Sequence, residues 1–243
     1  MKGSIFVNSE LVIAREKILQ IYRQWETELC LYCNELIAKE FSYPYYLYIP
    51  DNWFDSEIRI MIVGEEGAGE KQYDCSIEEA QKFNKEYLIS QLHNGDENYD
   101  RNRSQFWNRF RKIARLPGVA VCWNNLDKIH MSRAKNCALK TKQRNVLHQT
   151  PTKILQEEIK LLRPTHVIFF GWYGFSLQQE CPEVFDILYP NGLNDSSAWE
   201  EKKMAAFTFD NIYYLFTYHP GWRRKGKDYE HKVMQQIEKM IYG

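Results

Sequence analysis

Four short apolar runs, each closed by turn residues and set apart from the next by a helical pattern, constrain this chain more than any other feature. They are IRIMIVG (Ile58 to Gly64), VAVCWNN (Val119 to Asn125), HVIFFG (His166 to Gly171) and IYYLFTY (Ile212 to Tyr218). A run that does not alternate with polar residues puts apolar side chains on both faces of a strand, as a sheet buried on both sides requires. Such sheets are parallel, and parallel strands need long crossovers, which helices between the runs supply. The expected fold class is therefore α/β: a three-layer α/β/α arrangement around a central four-stranded parallel sheet. A chain of 243 residues that is 44% hydrophobic can build that core as one domain over residues 1–243.

The segments around the strands read as follows. From Leu11 to Lys39, Ile18, Tyr22, Trp25, Leu29, Tyr32 and Leu36 recur at three and four residues, which predicts a long amphipathic helix, an N-terminal extension at about residues 10–40. Pro44 and Pro50 bar a helix from the aromatic segment Tyr43 to Pro50, so it is expected to wrap the surface as extended chain. Helices are expected near Ile77 to Leu92 and Gln105 to Leu116. Another opens at Thr150 and Pro151, presents Leu155, Ile159 and Leu162 on one face, and stops at Pro164. Pro190 to Ser197 reads as a loop, and Lys227 to Tyr242 as a closing helix with Val233, Ile237 and Ile241 inward.

Charge is balanced, 32 basic against 32 acidic residues, so only local patches bear on partners. From Lys128 to Gln156 there is no acidic residue, while Lys128, Arg133, Lys135, Lys140, Lys142, Arg144 and Lys153 are basic. A second cluster lies at Arg223 to Lys227 and a third at Arg101, Arg103, Arg109, Arg111, Lys112 and Arg115. One-sign runs suit a phosphate backbone or, more simply, a solvated loop. Six cysteines in so core-rich a chain are read as reduced thiols. The pair Cys30 and Cys33 falls on one helix face without a second pair, so no metal is expected. No stretch approaches the roughly 18 apolar residues of a membrane span, and Met1 to Glu10 has no signal-peptide core, which together predict a cytoplasmic protein.

The strand ends carry the polar chemistry. The first run leads into Glu65-Glu66-Gly67-Ala68-Gly69-Glu70, where Gly64, Gly67 and Gly69 allow close approach of a ligand or simply make a tight turn. This is neither a Walker loop nor a dinucleotide fingerprint. The second ends in Asn124-Asn125-Leu126-Asp127-Lys128; an amide offers donor and acceptor together, which suits a base edge, although Asn is also an ordinary turn residue. The fourth leads into His219-Pro220-Gly221-Trp222-Arg223-Arg224-Lys225, with a histidine held by the following proline and basic residues beside it. In an α/β sheet all three endings lie at the carboxyl edge, where ligands bind.

In their order these elements resemble the uracil-DNA glycosylase superfamily, especially the type with an acidic first motif. Gly64-Glu65 matches its strand-ending Gly-Glu, Asn124 to Lys128 its Asn-x-x-Lys pattern, LLRPTHVIFFG (Leu161 to Gly171) its Pro-to-Gly strand, and Tyr218-His219-Pro220 its last motif. The resemblance runs from about Ile58 to the C-terminus and departs from the family at Glu66-Gly67-Ala68-Gly69, where the family has a proline, and at Gly221-Trp222. Ile129 stands where the iron–sulfur subgroup has a cysteine, and Cys122 and Cys137 do not align with its ligands, so no cluster or other cofactor is expected.

The resemblance implies a uracil-DNA glycosylase-like fold and hydrolysis of the N-glycosidic bond of uracil or a related damaged base in DNA. Glu65, or Glu66 if the turn is shifted, would orient water and stabilise the cationic sugar, and His219 would donate to the departing base. Asn125 would read the flipped base, with Tyr73, Phe106 or Trp107 stacking on it, although Phe106 and Trp107 also fit a helix core. Lys128, Arg223, Arg224 and Lys225 would hold phosphates, with Trp222 as the wedge. The partner expected is uracil-containing or damaged DNA, bound by a monomer. The competing readings are a noncatalytic nucleic-acid or nucleotide binder of the same fold, and an enzyme acting on another nucleoside or phosphorylated substrate.

Overall fold

The computed structural model describes residues 8–33, 45–66, 77–92, 104–128, 141–171, 204–221 and 228–243, with side chains for all of these except 26–33, 65, 66, 127 and 141–151. Along the chain run α1 (Ser9–Cys33), β1 (Ile58–Glu66), α2 (Ile77–Leu92), α3 (Gln105–Ala114), β2 (Val119–Asp127), α4 (Thr141–Leu162), β3 (His166–Phe170), β4 (Met204–Phe209), β5 (Ile212–Thr217) and α5 (Tyr229–Tyr242). The four apolar runs form β1, β2, β3 and β5, all parallel, in the spatial order β2-β1-β3-β5. Every residue of β3 is buried, as are Ile60 to Val63 of β1, so both faces of the sheet are covered there.

Alternation along β2 shows what covers them. Asn124 points to Glu158 of α4, whereas Trp123 packs on Phe106 and Trp107 of α3. α1 packs on α4, and α5 is tied to α3 through Arg109 and Glu230. Winding runs from β1 to β2, then crosses back over β1 to β3, so the carboxyl ends of β1 and β3 flank the point where the direction reverses.

The expectation of a wholly parallel four-stranded sheet is corrected: among the described residues the sheet has five strands and is mixed. β4 pairs antiparallel with β5 through a two-residue hairpin turn at Asp210 (φ 50°) and Asn211 (φ 60°), residue types that tolerate the left-handed region. β4 reads MAAFTF and alternates in burial as a half-exposed edge strand, so it never forms the continuous apolar run that marks a central strand.

Two further expectations are corrected. The helix expected to open at Thr150 and Pro151 instead begins at Thr141, so Pro151 lies within α4. An interior proline costs about 3 kcal/mol. Here the packing of Ile154, Leu155 and Leu162, all buried, carries the helix past it. The aromatic segment is not a surface wrap: Tyr45, Tyr46, Leu47 and Ile49 are buried. Its backbone is met by the Lys128 carbonyl, which accepts from Tyr45 N at 2.6 Å, and by side chains, with Tyr22 Oη accepting from Leu47 N at 3.0 Å and Asn84 Nδ2 donating to Tyr46 O at 2.8 Å. α1 buries Leu11, Ala14, Ile18, Tyr22 and Trp25 as its periodicity predicts; Leu36 and Tyr43 fall outside the described residues.

Candidate functional site

The parallel register of β1 and β2 sets Gly64 beside Asn125. A Cβ at position 64 would lie 2.7 Å from Asn125 Oδ1 and 3.2 Å from Phe106 Cε2, so only glycine leaves room for both side chains. Asn125 is 1% exposed. Its Oδ1 accepts from Trp123 Nε1 at 3.0 Å, while its Nδ2 is buried and has no hydrogen-bond partner among the described residues. A donor orphaned in this way costs on the order of 1–3 kcal/mol unless a ligand or water meets it.

Phe106, in the first turn of α3, roofs this spot. Its ring lies 5.2 Å from that of Phe170 at the end of β3 and stacks on His219 with centroids 6.3 Å apart and planes at 24°. Ser104 caps the helix, its hydroxyl accepting from Trp107 N at 3.4 Å. The structure therefore brings Gly64, Phe106, Asn125 and His219 together at the carboxyl edge of the sheet, from β1, α3, β2 and the end of β5. Trp107 is buried among the neighbouring rings and belongs to the core.

His219 is oriented by its own turn. Gly221 N donates to Nδ1 at 3.0 Å, so the neutral ring carries its proton on Nε2. The strand end behind it is clamped by Arg109 of α3, a 1% exposed side chain. Its Nη1 donates to Thr217 Oγ1 at 2.8 Å and Tyr218 O at 3.1 Å, and Nε and Nη2 fork onto Glu230 of α5 at 2.9 and 2.6 Å. Its guanidinium also lies 4.9 Å from the Phe170 ring centre. The Tyr229 hydroxyl accepts from Tyr218 N at 2.7 Å, and burial raises its pKa to about 12.

Lys128, expected to contact phosphates, lies instead inside the protein with its side chain 0% exposed. Its Nζ donates to Glu158 Oε1 and Oε2 at 2.9 and 2.8 Å and to Asn124 Oδ1. Glu158, also 0% exposed, further accepts from Asn124 Nδ2 at 2.7 Å and from the Tyr22 hydroxyl. Asn124 Oδ1 accepts in turn from Asn125 N at 2.8 Å, so this buried cluster also braces the backbone of the candidate site. Burial pulls the Lys128 pKa below its usual range, against the opposing pull of Glu158, and burial with the nearby carboxylate raises those of Tyr22 and Cys122. A lysine so committed cannot reach a DNA backbone.

Of the third basic cluster, Arg109 and Arg111 are buried and Lys112 and Arg115 are exposed, while Arg101 and Arg103 lie outside the described residues. β1 carries the backbone of Glu65 and Glu66 to the same edge, with Glu66 in register with Asp127; their side chains, and all of Tyr73, Trp222, Arg223, Arg224 and Lys225, lie outside the described residues. Among the described residues no group of His, Cys, Asp or Glu could hold a metal ion, and no helix is long and apolar enough to cross a membrane.

The sequence pattern held signals for two residues that were not singled out. Glu158 shares a helix face with Leu155 and Leu162, and Arg109 one with Phe106 and Ile113; a charge on an apolar stripe points to a buried partner. No protein-family model and no curated protein sequence matches the chain.

Proposed function

We propose that this chain is a uracil-DNA glycosylase-like enzyme, which hydrolyses the N-glycosidic bond of uracil or a related damaged base in DNA. The supporting observation is the buried Asn125 Nδ2, without a partner among the described residues, beside Gly64 and beneath Phe106, at the sheet edge where α/β proteins bind ligands. An amide donor next to an aromatic face suits a base taken out of the duplex, its edge met by a hydrogen bond and its plane by a ring. Cleavage leaves positive charge on the sugar and negative charge on the base. His219, with its proton on Nε2, donates to the base oxygen as charge develops there; Glu65 or Glu66 stabilises the sugar and orients the water that bonds to its anomeric carbon. Arg223, Arg224 and Lys225 hold phosphates and Trp222 enters the duplex, without help from Lys128. The sequence resemblance and the parallel order of β2, β1, β3 and β5 favour this reading, with the protein acting in the cytoplasm.

Labelled uracil-containing single- and double-stranded oligonucleotides, treated with alkali after incubation, test the proposal by strand cleavage at abasic sites. His219→Ala should lower the rate by about 10² to 10³ and leave the melting temperature unchanged. Salt-steep binding without base release would replace the enzyme with a noncatalytic binder. Absence of both binding and base release would refute the proposal.

A further inference from the structure

Trp123 and Asn125 stand two residues apart on β2 and so face the same side of the strand. An indole N–H can only donate; the amide atom that meets Trp123 Nε1 at 3.0 Å must therefore be the oxygen of Asn125. This settles which way the amide points. Nδ2 is turned away from the indole and is buried without a partner among the described residues.

Trp123 is itself held from several sides. Tyr45 of the aromatic segment lies 4.4 Å from its ring centre, Trp107 of α3 4.8 Å, Tyr87 of α2 6.0 Å and Phe106 6.2 Å. The Tyr45 hydroxyl also donates to the Trp123 carbonyl at 2.5 Å. The indole cannot rotate without moving rings from three other parts of the chain, so its N–H is a rigid reference for the amide.

We propose that Trp123 is a positioning residue that locks Asn125 with Nδ2 turned away from the indole, so that the site takes a hydrogen-bond acceptor, a ring carbonyl oxygen, in preference to an exocyclic amino group. An amino group opposite Nδ2 would set donor against donor and leave both desolvated. The indole N–H favours the orientation seen, and its removal gives access to the flipped form, which presents Oδ1 instead. The ligand half of this inference rests on the base-site reading above; the lock itself does not.

Trp123→Phe removes the donor and keeps an aromatic ring, and β-(3-benzothienyl)alanine at position 123 removes it while keeping the indole shape. Two measurements separate the claims. In the ligand-free protein, the side-chain amide resonances of Asn125 should shift and broaden in both variants while the melting temperature holds; unchanged resonances would overturn the lock. With free uracil and cytosine as probes, the wild type should favour uracil, and the variants should lose about five- to tenfold of that preference, the value of one hydrogen bond. A preference unaltered in the benzothienyl variant would overturn the specificity role. If neither base perturbed the wild-type Asn125 signals, the base-site reading would fall, and the lock would stand or fall on the amide resonances alone.

Discussion

Replacing Glu158 by leucine should be among the most damaging single changes this protein can suffer, and most of the damage should be reversible by a second mutation. In the wild type the Glu158 carboxylate accepts from Lys128, Asn124 and Tyr22, with no solvent exposure on either side of the ion pair. Removing it leaves the Lys128 ammonium with Asn124 Oδ1 as its remaining acceptor among the described residues. Breaking one side of a buried pair costs about 3–5 kcal/mol, a large part of the roughly 5–15 kcal/mol that holds a domain folded. At about 2–4 °C per kcal/mol for a chain of this size, the melting temperature should fall by about 6–20 °C. In the double variant Lys128→Met, Glu158→Leu the stranded charge is gone, while the orphaned Tyr22 and Asn124 groups remain as in Glu158→Leu. Comparing the two therefore isolates the lysine, and a coupling of about 2–3 kcal/mol is expected from urea denaturation midpoints across the four-member cycle. A double variant no more stable than Glu158→Leu, with effects additive to within about 0.5 kcal/mol, would refute the claim that the two residues act as one buried unit.

Gly64→Ala places a methyl 2.7 Å from Asn125 Oδ1, against a side chain fixed by Trp123. It should destabilise the fold by about 1–3 kcal/mol in denaturant titrations and abolish the uracil preference at Asn125; full stability with full preference would contradict the geometry. His166 is buried at the start of β3, with Nε2 against Met240 O at 3.0 Å and Nδ1 against Thr165 Oγ1 at 2.8 Å, and burial lowers its pKa below 6.5. The unfolded chain then takes up the proton first as pH falls. Stability is complete above the ordinary histidine range and declines as pH drops from there toward the lower folded value. His166→Gln should show a smaller loss between about pH 7.5 and about pH 5.5, and an identical loss would exclude His166 as a source.

The elements visible in the sequence are those whose evidence is local. Continuous apolar runs marked β1, β2, β3 and β5 because a strand buried on both faces must be apolar throughout, and three-and-four spacing marked α1, α2, α3 and α5. β4 escaped because an edge strand needs only one apolar face; the Asp210-Asn211 turn was its clearest trace. Lys128 misled for a related reason. A basic run looks the same in sequence whether its first lysine meets water or Glu158, thirty positions away, and only the fold brings that carboxylate to it.

The amino-acid order by itself therefore settled an α/β protein with four parallel strands and placed Gly64, Asn125 and His219 at strand ends, because side-chain periodicity is written residue by residue along the chain. The tertiary structure decided which strands adjoin, that the aromatic segment lies within the core, that Lys128 is spent on Glu158, and that the Trp123 indole meets the Asn125 amide oxygen. Each of those depends on groups from distant segments satisfying one another's hydrogen bonds away from water. That condition acts only between parts of the chain that folding has already brought into contact.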